Sequence, residues 1–268
     1  MFKAIRKKVV GLKNKEKKTT LFGHLTDLRR VFIVSLTAII IGVLICYFFL
    51  REPLMAIAFD PIRRLGKEPI IIGVAEGFMV HLRLVIVAGI VIASPIVLWQ
   101  IISFILPALY KHEKKAFIIF FFLSVILFAT GIVFSYLYVL NFGLSTFLLS
   151  YSGGLLVMIS ADRYLSFLES FLLPFGLIFQ LPLVTCLLSH LGLLTPEKLR
   201  RNRRYAALVI LIIAMFLTPP DVLSQILLAV PMLALYEVSI LFSVAIIKRK
   251  KAKQLAEYKL AKSIYPLE

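Results

Sequence analysis

Six apolar runs, separated by segments that hold nearly all of the lysines and arginines, limit what this chain can fold into more than any other feature of its sequence. They cover roughly 31–50, 76–104, 116–140, 161–190, 205–217 and 222–247. Most are long enough to cross a hydrocarbon layer ~30 Å thick at about 1.5 Å per residue. The fifth, at 205–217, must thin the bilayer, tilt little or fail to cross fully. A chain that is 60% hydrophobic, with a mean hydropathy of +0.96 and a net charge of +17, is no soluble globular domain. The predicted class is an all-α polytopic membrane protein with six transmembrane helices, the fifth and sixth short or paired.

Orientation follows from the 31 cations: 10 fall in 1–30, 3 in 105–115, 5 in 191–204 and 7 in 248–268. By contrast 51–75 holds 4, and 141–160 and 218–221 hold none. The positive-inside rule then places both termini in the cytoplasm, which requires an even number of crossings and favours a real, short fifth helix paired with the sixth. Topology, with some attraction for anionic lipid, accounts for the positive charge, and no nucleic-acid partner is needed. The first apolar run, at about 20 residues, exceeds the 7–15 of a cleaved signal's core, so it reads as an uncleaved first helix. Residues 1–20 and 248–268 are basic cytoplasmic tails, the second partly helical, around a membrane domain at 21–247. No internal repeat is evident, which weakens an inverted-repeat transporter. Cys46 and Cys186 lie within apolar runs and carry no disulfide or metal signal. No metal, cofactor or hydrolase motif is expected, and the chain does not read as an enzyme.

The 14 acids are few enough to weigh one by one. Asp27, in His24-Leu25-Thr26-Asp27-Leu28-Arg29-Arg30, precedes the first span, and Glu113 precedes the third. Both can bind arginine at a partly dehydrated rim, where a charge-assisted hydrogen bond is worth ~1.5–3 kcal/mol. Pairing within the chain, with Arg29, Lys111 or Lys114, is the other reading. Inside the apolar runs stand Glu169, Gln180 and Glu237, with Asp221 near the outer interface; polar groups there are functional-site hypotheses. Glu169 and Gln180 project from one face of the fourth helix, about 16 Å apart in depth. Such a stripe suits a proton path, a hydrated lining or helix-to-helix bonding. Met215-Phe216-Leu217-Thr218-Pro219-Pro220-Asp221 reads as a rigid outer turn, with Asp221 capping the sixth helix and Thr218 and Gln225 offering bonds to a partner helix. A proton-coupled small-molecule transporter using Glu169, Glu237 and Asp221 is the rival reading.

Four motifs carry a family resemblance: His24-Leu25-Thr26-Asp27-Leu28-Arg29; Phe104-Ile105-Leu106-Pro107-Ala108-Leu109-Tyr110-Lys111-His112-Glu113; Phe179-Gln180-Leu181-Pro182; and Leu217-Thr218-Pro219-Pro220-Asp221-Val222-Leu223-Ser224-Gln225. With them the chain resembles TatC, the multispanning subunit of the Sec-independent, twin-arginine protein translocase, across roughly 21–247. The resemblance implies a receptor in a bacterial or archaeal cytoplasmic membrane. Such a receptor binds twin-arginine signal peptides of folded cargo and recruits the single-span proteins TatA and TatB into a hetero-oligomer of several copies, with the proton-motive force driving transport. It also implies Glu113 as the principal arginine-binding carboxylate and Asp27 as a second acidic contact. Phe104, Arg29, Leu109, Tyr110 and His112 are implied as their neighbours. Gln180, Met215, Thr218 and Gln225 match positions where partner helices dock, and Pro61 and Tyr136 match family positions of less definite role. Two departures stand out: the family usually has Glu at position 27, and commonly an intramembrane Glu at position 180. Gln180 cannot titrate, so any step that needs a proton on that side chain is disfavoured here.

Overall fold

The computed structural model describes residues 21–105, 114–150, 158–190, 194–218 and 221–264, and these are helical apart from short connections. In lipid each backbone N–H and C=O must be satisfied within its own segment, and the apolar runs have no other way to do so. The first helix, α1 (Leu21–Ile45), passes through a π-helical turn at Cys46–Leu50 into α2 (Arg51–Arg64). Next come α3 (Glu76–Ile105) and α4 (Lys114–Phe134), the latter extended by two further π turns and a short α5 (Asn141–Ser145) as far as Ser150. The fourth run is α6 (Ala161–Ile178) and α7 (Leu181–His190), followed by α8 (Pro196–Arg201), α9 (Arg203–Leu217) and α10 (Val222–Ile264).

Five helical stretches are long and apolar enough to cross a membrane: Thr26–Arg64, Glu76–Phe104, Phe117–Leu148, Ala161–Ser189 and Val222–Ala245. The chain is therefore a multi-pass membrane protein. The expected fifth span, α9, has 15 residues and falls short of that length. The expected fourth span is present as Ala161–Ser189, with a two-residue turn inside it. The turn is at Phe179–Gln180, just ahead of Pro182, which has no N–H to donate to the Ile178 carbonyl. The segment 51–75 between the first two apolar runs begins with the helix α2, which takes up 14 of its residues. As anticipated, the basic tail is partly helical, because α10 runs for 43 residues without interruption to Ile264.

Two glycine contacts set the helix packing. A Cβ on Gly42 would lie 2.7 Å from the Gly89 carbonyl oxygen, and one on Gly89 would lie 2.7 Å from the Val43 backbone. Here α1 and α3 meet backbone to backbone. Between α4 and α6, Gly131 faces the Phe175 carbonyl oxygen in the same way, and Gly176 makes room for the ring of Phe128. One core gathers Phe59, Ile62, Leu84, Leu140, Tyr164 and Leu168 beneath α2, and another gathers Phe171, Phe175, Ala214, Leu228 and Met232 between α6, α9 and α10. Two hydroxyls tie α2 down from below: Tyr136 donates to the Ile57 carbonyl (2.7 Å) and Tyr164 to that of Ala58 (2.6 Å).

Candidate functional site: the α1–α3 rim and the intramembrane polar groups

Asp27 and Phe104 lie on antiparallel helices that cross at Gly42 and Gly89. Each is 15 residues from its glycine in the direction away from α2, or about 22 Å along the axis. That register puts them at one level, on the rim opposite α2. Asp27 and Arg29 are exposed there, and Phe104 is half-buried. The rings of Phe117 and Phe121 on α4 pack edge-on against Trp99 of α3 (4.7 and 4.9 Å between centroids). The ends of the loop between α3 and α4, Ile105 and Lys114, are therefore brought to this same rim. The sequence-predicted residues Leu109, Tyr110, His112 and Glu113 lie outside the described residues.

The polar groups within the membrane have separate partners. Arg83 of α3 forms a fork: Nη1 donates to Asp162 Oδ1 (2.7 Å) and to Ser166 Oγ (3.0 Å), while Nη2 donates to Glu169 Oε2 (2.8 Å). The other Glu169 oxygen, Oε1, is buried without a hydrogen-bond partner. Gln180 turns instead to α4, where its Oε1 accepts from Ser124 Oγ (2.9 Å) and its Nε2 donates to the Ser124 carbonyl (3.1 Å). Glu169 and Gln180 thus bond to different helices, and the stripe expected from their spacing is divided between two neighbours. Glu237 pairs with Arg203 at the start of α9 (2.6 Å), and each side chain is half-exposed. Asp221 caps α10, accepting from the Ser224 N–H (2.7 Å).

These positions bear on the transporter reading. Glu169 bonds to α3, Asp221 serves a helix terminus, and Glu237 sits about 24 Å further along α10 than Asp221. The three acids do not converge on one cavity. At the α9–α10 corner Met215 is 56% exposed, whereas Thr218 is 8% exposed and its hydroxyl donates to the Ala214 carbonyl. Gln225 Nε2 donates to the Leu211 carbonyl (3.0 Å), bridging α10 to α9. Pro61 is buried in the last turn of α2.

Sequence reasoning placed Arg83 in a span without seeing its use. The spacing marks only one side of the fork: Asp162, Ser166 and Glu169 follow an i, i+4, i+7 pattern on one helix face, and nothing in it points to Arg83. Glu76 was also missed. Its carboxylate accepts from the N–H groups of Ile72 and Gly73 and from the hydroxyl of Ser160, which ties the connection before α3 to the start of α6.

Residues 23–231 match the family model described as Sec-independent protein translocase protein (TatC). A protein of that name from Carboxydothermus hydrogenoformans is 44% identical over 238 residues, which is 88% of this chain and 97% of the relative. Its counterpart from Aquifex aeolicus is 36% identical over 87% of this chain and 98% of the relative. Among solved structures, a crystal structure of the twin arginine translocase receptor TatC superposes with a TM-score of 0.75 at 35% identity, covering 84% of this chain and 99% of that one.

Proposed function

The chain belongs to the TatC family of Sec-independent protein translocase proteins, and on that footing we propose that its α1–α3 rim is the cytoplasmic receptor surface for paired arginines. As a translocase subunit it moves protein cargo and does no covalent chemistry of its own. The proposal extends to N-in/C-in topology with six crossings, α9 spanning a locally thinned bilayer beside α10. It extends also to recruitment of TatA- and TatB-like helices at the α9–α10 corner, where Met215 and Gln225 sit.

The observation that carries the reading is the shared level of Asp27 and Phe104, with Ile105 and Lys114, the described residues on either side of the segment that contains Glu113, at that same rim. Two carboxylates at a partly dehydrated edge suit the planar forks of two arginines better than lysine point charges. The surrounding cations repel a basic signal peptide at long range, so the carboxylates act only within a few ångströms. Replacing Glu113 with Ala should abolish arginine-dependent cross-linking of a twin-arginine signal peptide, and Asp27→Ala should weaken it. Undiminished cross-linking in Glu113→Ala, or equal cross-linking of a twin-lysine peptide, overturns the reading.

A further inference from the structure

Cations are scarce at the α2 end of the bundle, and among the described residues Arg51, Arg63, Lys67 and Arg163 there form no ion pair. Arg64 is neutralised by Asp60 at 2.6 Å. Among the described residues neither Arg51 nor Arg63 has a carboxylate within ion-pair distance. Both line a cavity of about 460 Å³ with Glu52, Met55, Ala56 and His81, so two guanidiniums face one carboxylate. The Nδ1 of His81 donates to the Gly77 carbonyl (2.6 Å), because a carbonyl can only accept, and Nε2 remains as the ring's other polar atom. Arg51 and His81 also line an adjoining cavity of about 270 Å³, whose other walls are Tyr47, Gly77, Phe78 and Leu82.

Two cavities that share Arg51 and His81, one lined largely by charged side chains and the other by Tyr47, Phe78 and Leu82 as well, match the two parts of a phospholipid: a charged headgroup and an apolar acyl chain. The amphipathic character of α2 fits a place at headgroup depth. It buries Ala58, Phe59 and Ile62 toward the core and presents Arg51, Glu52 and Arg63 to the interface. Arginine forks bind phosphate oxygens in pairs, and an unpaired arginine at a low-dielectric edge gains more from such an anion than a fully hydrated one does. We propose that this double cavity binds an anionic phospholipid of the leaflet on the α2 side, with Arg51 and Arg63 holding the phosphate and Tyr47, Phe78 and Leu82 flanking an acyl chain. The inference stands independently of the receptor reading.

The test uses the full-length protein in detergent with added phosphatidylglycerol, phosphatidylcholine or soluble glycerol 3-phosphate, read by native mass spectrometry and thermal shift. The unmodified protein should retain phosphatidylglycerol and be stabilised by it, with little response to the other two. R51Q/R63Q should retain about tenfold less, the loss expected from removing two charge-assisted contacts to phosphate. R64Q/K67Q removes the same formal charge outside the cavity and should retain as much as the unmodified protein. If R51Q/R63Q fails to purify, R51Q and R63Q are read singly, each with about a threefold loss expected. Equal retention in the two double variants, or in the single variants and the unmodified protein, overturns the proposal. So does equal binding of phosphatidylcholine, and equal binding of glycerol 3-phosphate would make this a soluble-anion site rather than a lipid site.

Discussion

Gly89→Ala tests the closest helix crossing with a single added carbon. Its Cβ would sit 2.5 Å from Val43 Cγ2 and 2.7 Å from both the Val43 Cα and N atoms. Carbon atoms rest about 3.5–4.0 Å apart, so α1 and α3 must separate by about 1 Å. A rotamer change relieves only the Cγ2 contact, because the other two atoms are backbone. Overpacking of this kind costs about 1–3 kcal/mol, less a gain of up to about 1 kcal/mol for exchanging glycine for alanine inside a helix. Gly77→Ala, on the same helix, isolates the packing cost: its added Cβ would meet only the flexible end of Ile71, at 3.4 Å. Thermal unfolding in detergent should place Gly89→Ala below Gly77→Ala by about 1–3 kcal/mol, or about 2–4 °C per kcal/mol for a chain of this size. Because the crossing sets the level of Asp27 against Phe104, Gly89→Ala should also weaken signal-peptide cross-linking. Equal stability of the two variants would refute the backbone-to-backbone crossing and the register drawn from it.

Arg83→Leu leaves Asp162 and Glu169 facing each other without their shared cation, and it should cost about 1–3 kcal/mol, moderated because Arg83 and Asp162 keep partial access to solvent. Adding Glu169→Leu should restore part of that loss in a double-mutant cycle of thermal stabilities, and strict additivity would show the pair to be uncoupled. Gln180→Leu breaks both bonds to Ser124 and strands a buried hydroxyl, a cost of about 1–3 kcal/mol in the same assay. Gln180→Glu should also be destabilising, because it sets a carboxylate oxygen where an amide N–H now meets the Ser124 carbonyl. Wild-type stability in Gln180→Glu would refute that geometry.

The membrane-spanning layout was legible because lipid enforces it: an apolar run of sufficient length has few ways to satisfy its backbone. The capping role of Asp221 was legible for the same local reason, since a cap depends on the next three residues alone. What could not be read was whatever depends on which helix faces meet. Glu169 and Gln180 share a face by spacing, but the break at Phe179–Gln180 and the neighbours α3 and α4 decide that they serve different partners. Arg83 lies 79 residues from Asp162 and 86 from Glu169, and no periodicity links them. Glu237 reads as intramembrane by its place in the sixth run. It is half-exposed, paired with Arg203 at the start of α9, a partner 34 positions away that its place in the run does not indicate.

The unbroken run of α10 makes its basic end a lever rather than a tether. From Ala245 to Ile264 the helix projects about 28 Å beyond the span with no hinge, so each ~10° of tilt sweeps its tip through about 5 Å. The fulcrum is held at two points, by the Arg203–Glu237 pair and by the Ser189–Ser243 hydroxyl bond (2.7 Å). Because one of those points is Arg203 at the start of α9, a shift of α9 acts at the base of this projecting arm.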